Sequence, residues 1–130
     1  MVGGGLGSFI GDVHRKAASI DNMIELVCGA FSSSAEKSIA SAKDLGISSS
    51  RAYGSYQEMI EKEQELPEDE RMDFVSIVTP NHMHFPPAKM ALENGFHVIC
   101  DKPVTLTLEE AVELEKVASA SGKVFALTHN

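Results

Sequence analysis

The sequence predicts an α/β fold: a doubly wound parallel sheet of the Rossmann type, in three layers with helices on both faces. Short apolar segments alternate with helical segments, a pattern typical of right-handed crossovers between parallel strands. Five glycines cluster at the start of the chain, at Gly3, Gly4, Gly5, Gly7 and Gly11. Polar loops follow several apolar segments, which is where open α/β sheets bind ligands.

The composition indicates one globular domain over residues 1–130. The chain is 43% hydrophobic and 23% charged, too apolar for a disordered protein and without the long apolar run of a membrane span. Its 19 acidic and 11 basic residues give a net charge of -8, which argues against a nucleic-acid-binding surface. Cys28 and Cys100 lie in apolar runs without CxxC spacing and no signal peptide is evident, so we expect a reduced, cytoplasmic protein.

The first half of the chain predicts a strand end, a loop and a helix over residues 8–19, followed by a second strand and helix. Met23–Phe31 is a continuous apolar run, as expected for a parallel strand buried on both faces. Ser33 and Glu36 have capping-box spacing and predict a helix that reaches Leu45 and ends at Gly46. A short strand is then expected over residues 51–53.

An acidic helix is predicted next, since Ser55 and Glu58 repeat the capping-box spacing and Pro67 follows. Eight acidic and two basic residues lie between Glu58 and Asp73. Such a cluster is a candidate for binding a metal or a basic partner, but we interpret it as a solvated helix and the loop after it.

The second half of the chain alternates regularly between strands and helices. Strands are predicted at Phe74–Val78, His97–Cys100 and residues 124–127. Pro86 and Pro87 suit the first turn of a helix that ends before Gly95. The last helix begins at a capping box and ends at a glycine; its signals are Thr107, Glu110 and Gly122.

The glycine cluster is the first candidate site. Glycines there let backbone N–H groups approach a pyrophosphate at a helix N-terminus. The spacing is not a clean GxGxxG, and a flexible turn is the alternative interpretation. The candidate cofactor-binding residues of this loop are Gly3, Gly5, Gly7, Ser8, Phe9 and Ile10.

The segment after the second predicted strand lacks the carboxylate that NAD-binding sites place about 20 residues beyond the glycines. Serines occupy it instead, and a lysine follows in the first helical turn. These are Ser32, Ser33, Ser34 and Lys37. Their hydroxyls suit a ribose hydroxyl or a 2′-phosphate, while helix capping alone also explains Ser33 and Ser34, so the choice between NAD and NADP stays open.

A resemblance to a known family comes from the string VSIVTPNHMHFPPAKMALENGFHVICDKP over residues 75–103. Its Thr-Pro-Asn loop, downstream histidine and Asp-Lys-Pro sequence resemble the Gfo/Idh/MocA family of NAD(P)-dependent sugar oxidoreductases. The Ile10-Gly11-x-x-His14 element also matches that family, although the glycine loop here is about three residues longer than usual. The resemblance covers essentially the whole chain.

This resemblance implies a role for each strand-end loop. Thr79, Pro80, Asn81 and His84 would line the nicotinamide and adjacent ribose. The family's Glu-Lys-Pro motif corresponds to Asp101, Lys102 and Pro103, with Asp in place of Glu, and makes Lys102 the catalytic candidate. A lysine ammonium there can donate to a developing alkoxide or help relay a proton. Asn130 would also face the cofactor.

Other readings of the same residues are weaker. His82 and His84 have no third ligand in a recognisable pattern, so we predict no metal site. A non-catalytic NAD(P)-binding redox sensor is the main alternative to an enzyme. A flavodoxin-like or response-regulator domain shares the alternation of strands and helices, but does not account for the glycines, Thr-Pro-Asn and Asp-Lys-Pro together.

The family resemblance further implies a second, C-terminal domain that supplies the substrate pocket, an acid/base residue and most contacts of a homo-oligomer. We expect this chain to lack that domain and most of the first strand, since only Met1 and Val2 precede the glycines. The predicted whole enzyme transfers hydride between NAD or NADP and a secondary alcohol of a sugar, inositol or related polyol. The fragment alone is expected to be inactive.

Overall fold

The computed structural model describes residues 1–129. The chain divides into two compact units, Met1–Met59 and the segment from Ile60 onward. Buried hydrophobic side chains lie in both units, among them Val2, Phe31 and Met59 in the first and Val75, Ile77 and Phe96 in the second.

The first unit contains one short strand and two complete helices. Strand β1 is Val2–Gly3, helix α1 is Phe9–Ser19, and helix α2 is Ala35–Asp44. Helix α1 confirms the helix predicted over residues 8–19, with Ser8 as its N-cap. Asp12 in its first turn pairs with Lys16 at 2.7 Å, and this hydrogen bond from Lys16 lowers the pKa of the Asp12 carboxyl.

The strand predicted over Met23–Phe31 is wrong for all but Gly29 and Ala30. Met23 and Ile24 are 81% and 41% exposed, and the only pairing is two isolated parallel bridges, Val2↔Ala30 and Gly29↔Ala52. The partners on both sides offer only a few extended residues, so the ladder is short. Hydrophobic composition alone therefore overestimated this strand.

Two neighbouring predictions also need correction. Helix α2 is capped by Ser34, whose Oγ accepts the Lys37 amide at 3.4 Å, and not by the predicted Ser33, because the helix begins one residue later. The strand expected over residues 51–53 starts within a 3-10 turn, Ser49–Arg51, and retains only the single bridge through Ala52.

Helix α3, Tyr56–Glu65, follows the predicted signals, since Ser55 Oγ accepts the Glu58 amide at 3.2 Å. The acidic cluster is exposed as expected except at Glu63, which is fully buried. Glu63 Oε2 accepts the backbone N–H of Met72 at 3.0 Å. The interpretation as a solvated face is therefore wrong for this one carboxylate, which closes the loop after its own helix.

The unit from Ile60 onward contains a three-stranded parallel sheet in the order β2-β3-β4: Phe74–Val78, His97–Cys100 and Phe125–Leu127. In its register Ile77 pairs with Cys100, and Cys100 pairs with Leu127. Helices α4, Phe85–Glu93, and α5, Leu108–Ser121, alternate with the strands. These elements confirm the predicted alternation, so that the carboxyl ends of all three strands lie at one edge.

The helix ends of this unit are formed by the predicted residues. Thr107 and Glu110 make a complete capping box at the start of α5. Gly95 and Gly122 end their helices with φ of 82° and 66°, a left-handed conformation that glycine adopts without a steric cost. Between the helices, Lys89 pairs with Glu113, which raises the pKa of the Lys89 ammonium.

Both cysteines are free and buried, at 2% exposed for Cys28 and 0% for Cys100, as predicted for core residues. Burial, with the neighbouring Asp101 charge, raises the pKa of the Cys100 thiol to about 12. No helix within residues 1–129 has the length and apolar character needed to cross a membrane.

Candidate functional site

The glycine loop is held by backbone hydrogen bonds to the segment that follows the irregular strand. Gly3 donates to the Ala30 carbonyl at 2.9 Å, and Gly5 donates to the Phe31 carbonyl at 3.2 Å. The structure thus brings the predicted glycine loop beside the predicted Ser32–Ser34 segment. Both belong to the first unit.

Two side chains that the sequence did not single out also hold this loop. Arg15 Nη1 on α1 donates to the Gly4 carbonyl at 2.5 Å. Ser41 Oγ on α2 accepts the Leu6 amide at 3.1 Å. Neither residue belongs to a recognisable motif, and only the fold, which packs both helices on the loop, reveals them.

Two glycines are required by close packing inside the loop. A Cβ on Gly11 would collide with the backbone of Gly4, and a Cβ on Gly5 would lie 2.7 Å from Ser41 Oγ and 2.8 Å from the Phe31 carbonyl oxygen. The start of helix α1 therefore touches the loop backbone directly. This is the close helix approach that dinucleotide-binding loops need.

The loop and the first turn of α1 offer unused donors. Among the described residues, the backbone N–H groups of Gly7, Phe9 and Ile10 have no hydrogen-bond acceptor, whereas the Gly11 amide is taken by Ser8 Oγ. Orphan amides at the start of an 11-residue helix suit an anion, because the helix dipole adds to them. The residues present thus fit the pyrophosphate of a dinucleotide.

Two hydroxyl groups of the serine segment already accept hydrogen bonds from backbone amides at the start of α2. Ser32 Oγ accepts the Ser34 amide at 3.2 Å, and Ser34 caps α2. Ser33 and Lys37 are exposed. No carboxylate lies between Phe31 and Ala35, and the first one along the chain is Glu36 in the first turn of α2. The serine segment therefore presents hydroxyl groups, followed by the Lys37 ammonium in the first turn of α2.

The second unit places the other predicted residues at the carboxyl edge of its sheet. Thr79, Pro80 and Asn81 follow β2, and Asp101, Lys102 and Pro103 follow β3. Because Ile77 pairs with Cys100, the two loops leave neighbouring strands at the same level. Pro80 and Asn81 are exposed, while Thr79 Oγ1 donates to the Met83 carbonyl at 2.9 Å.

The Asp101 carboxylate is buried, 8% exposed, and accepts the Thr128 hydroxyl at 2.8 Å. Thr128 was missed from the sequence, although its position one residue after β4 would have suggested it. Lys102 is exposed, and its ammonium has no ion-pair or hydrogen-bond partner within residues 1–129. The Lys102–Pro103 peptide bond is cis. The one catalytic candidate is thus exposed, and its ammonium is unpaired among the described residues.

His84, which the resemblance implies would line the cofactor, is a buried residue. Its side chain is 1% exposed. Nδ1 lies 2.6 Å from the Pro103 carbonyl oxygen and Nε2 lies 3.0 Å from the Thr79 carbonyl oxygen. The ring therefore lies between the two strand-end loops.

The remaining candidates are simple to place. His82 is exposed, and the described part of the chain holds no group of three or more His, Cys, Asp or Glu side chains suited to a metal ion. Asn130 lies outside the described residues.

Comparisons with known proteins agree with this geometry. Residues 1–129 match the Gfo/Idh/MocA family, described as an oxidoreductase family with an NAD-binding Rossmann fold. The chain is 39% identical to the oxidoreductase YfiI of Bacillus subtilis, over 99% of this chain and 33% of that protein.

Two crystal structures are also similar. An oxidoreductase from Sinorhizobium meliloti is 50% identical with a TM-score of 0.93, covering 99% of this chain and 35% of that one. An inositol dehydrogenase homolog from Azotobacter vinelandii, complexed with NADH and myo-inositol, is 41% identical with a TM-score of 0.93, covering 98% of this chain and 33% of that one. The chain thus spans about a third of the length of these relatives, and the Rossmann-type α/β fold predicted from the sequence is confirmed.

Proposed function

Because the chain belongs to the Gfo/Idh/MocA oxidoreductase family, whose matched part has an NAD-binding Rossmann fold, we propose that it is the nucleotide-binding domain of a hydride-transferring dehydrogenase. The proposed reaction moves hydride between NAD or NADP and a secondary alcohol of a sugar, inositol or related polyol. The observation that carries the proposal is the set of unused backbone amides at the start of α1, which suits the pyrophosphate of a dinucleotide.

The glycine loop is proposed to bind the pyrophosphate. The amides of Gly7, Phe9 and Ile10 are the donors, and Ser8 keeps the loop shaped by capping the Gly11 amide. Gly3 and Gly5 take part through their bonds to residues 30 and 31. Backbone donors fixed before binding require little reorganisation, which favours affinity.

The serine segment is proposed to bind the ribose of the adenosine half. It has hydroxyls on Ser32 and Ser33 and an ammonium group on Lys37, and its first carboxylate, Glu36, comes only in the first turn of α2. We therefore expect weaker discrimination against NADP than a site with a strand-end carboxylate would have.

The loops after β2 and β3 are proposed to serve the reacting end. When bound, the cofactor supplies the hydride chemistry, and the protein supplies binding and orientation. Lys102 Nζ is proposed to hold or transfer a proton at the substrate oxygen, since it is exposed and unpaired among the described residues. Thr79, Pro80 and Asn81 are proposed to border the nicotinamide, with Asp101 and Pro103 fixing the lysine's segment.

A polyol substrate is supported by the inositol dehydrogenase homolog, whose structure contains myo-inositol. We propose that the substrate-binding part lies in a further domain, because the chain covers about a third of that relative. Homo-oligomerisation through that domain and a cytoplasmic location belong to the same proposal.

The test is a titration of this chain with NADH and separately with NADPH, following nicotinamide fluorescence. Saturable binding of either, displaced by ADP, is the expected result, and the ratio of the two dissociation constants reports what the serine segment recognises. Binding of neither nucleotide, with binding of FMN instead, would overturn the proposal in favour of a flavodoxin-like domain. In the whole protein, nucleotide binding without turnover of any polyol would support a redox sensor.

A further inference from the structure

His84 is a fully buried titratable side chain that the proposed chemistry does not use. It lies between the 3-10 turn Asn81–Met83 and the first residue of α4. Its side chain is 1% exposed, so it has no open face toward a ligand. Its contacts must instead explain what it does.

Both ring nitrogens face backbone carbonyl oxygens. Nδ1 lies 2.6 Å from the oxygen of Pro103, and Nε2 lies 3.0 Å from the oxygen of Thr79. A carbonyl oxygen only accepts, so the imidazole is the donor in any hydrogen bond formed. A neutral ring has a single N–H, and the shorter contact places it on Nδ1, whereas the imidazolium form would donate to both.

The bond to Pro103 matters because little else holds the segment that carries the lysine. Within the described residues, the Pro103 carbonyl bond to His84 is the only hydrogen bond that the backbone of Lys102, Pro103 and Val104 makes. The neighbouring Asp101 is anchored through its amide to Ile77 and through its side chain to Thr128. Beyond Asp101, His84 alone ties this segment to the sheet edge by a hydrogen bond.

We propose that His84 is a positioning residue. Its Nδ1–H, donated to the Pro103 carbonyl, fixes the Lys102 segment against the loop after β2 and thereby sets where the Lys102 ammonium lies. The inference rests on the proposed function for the role of Lys102, but the hydrogen bond itself does not depend on it. Misplacement of a catalytic group by about 1 Å lowers turnover by up to about 100-fold.

The first experiment reads the ring directly. A long-range proton–nitrogen NMR spectrum of the wild-type chain, assigned by comparison with His84→Gln, reports which ring nitrogen carries a proton. We expect a proton on Nδ1. A neutral ring with its proton on Nε2 would overturn the proposal, because Nδ1 would then have nothing to donate to Pro103.

The second experiment separates the two bonds with matched variants. In side-chain reach, the amide nitrogen of Asn approximates Nδ1 and that of Gln approximates Nε2. His84→Asn is therefore expected to retain the Pro103 bond and keep kcat in the whole enzyme within about threefold, while His84→Gln loses about tenfold. The KM for NAD is expected to change less than about threefold in both.

Equal kcat losses in the two variants, or a loss confined to KM for NAD, would overturn the positioning role. Amide hydrogen exchange at Lys102 and Val104 provides a readout that needs no turnover, and it is expected to rise more in His84→Gln than in His84→Asn. If the wild-type protein binds no nucleotide, the proposed function fails, while the ring spectrum and the exchange data still decide whether His84 holds this segment.

Discussion

The two units of the chain present ligand-binding groups in opposite ways. In the first, the proposed ligand-binding groups are backbone amides. The loop that carries them depends on glycines, since a Cβ has no room at Gly5 or Gly11. In the second, side chains are proposed to carry the chemistry, and a regular parallel ladder sets the positions of their loops. Binding by backbone amides tolerates an irregular strand, whereas bringing the loops after β2 and β3 to the same level requires a regular register.

Lys102→Ala is expected to have the largest effect, and it tests the proposed role of side chains in the second unit. If side chains carry the chemistry of the second unit, kcat of the whole enzyme should fall by about 100-fold or more, because loss of a proton-transferring group typically costs this much. NADH affinity of the chain should change less than about threefold. Steady-state kinetics and a fluorescence titration check both.

Lys116→Ala is the matched control, since Lys116 is an exposed lysine on α5, away from the strand-end loops. Its kcat should be unchanged. Undiminished turnover in Lys102→Ala would remove the catalytic assignment of Lys102.

Gly11→Ala tests the backbone side of the comparison. The added Cβ would collide with the backbone of Gly4, so the loop must move. We expect NADH affinity to fall by about tenfold, about 1.4 kcal/mol. The control is Gly46→Ala, where φ is +74° but no atom lies within 4 Å; it should lose about 1 kcal/mol of stability and no affinity. Equal NADH affinities in the two variants would contradict the proposed role of the loop.

The same contrast explains what the sequence predicted well. Phe74–Val78 and the Thr107–Glu110 capping box carry their signals within a few consecutive residues, and both were confirmed. Met23–Phe31 has equally strong apolar content, but a strand needs a partner, and the available partners are short. Signals within a few consecutive residues thus predict which helices and strands form. How far a strand pairs depends on residues that are distant in the sequence.

The candidate site divides along the same line. Glycine spacing and strand-end loops indicated the segments that the proposed site uses. Arg15, Ser41 and Thr128 could not be found that way, because each acts through hydrogen bonding to a residue at least 11 positions away. His84 was recognised as a motif residue, yet its burial between two carbonyl oxygens depends on the folded loops.

Thr128→Val tests the side chains of the second unit through the Thr128–Asp101 hydrogen bond, and a smaller effect is expected. The substitution preserves shape but leaves the buried Asp101 oxygen without its hydroxyl donor. We expect about 1–3 kcal/mol lower unfolding free energy, measured by urea denaturation, and a modest fall in kcat as Asp101 loosens.

Thr105→Val is its control, because Thr105 also donates its hydroxyl, to the Thr107 carbonyl at 2.8 Å, and is buried. It should lose stability without a change in kcat. Identical changes of kcat in the two variants would mean that the Thr128–Asp101 hydrogen bond has no specific effect on turnover.

The smallest expected effect concerns the thiol next to the carboxylate, and it appears only at high pH. Burial raises the pKa of Cys100 from 9.0 to about 12. Between these values the unfolded chain loses the thiol proton while the folded chain keeps it, so stability is unaffected below about pH 9 and falls as the pH rises toward 12. One group contributes at most about 1.4 kcal/mol per pH unit. Urea denaturation at pH 8 and pH 10 should therefore show a steeper loss for the wild type than for Cys100→Ala. Equal losses of unfolding free energy in both proteins would show that the fold does not raise the pKa of the Cys100 thiol.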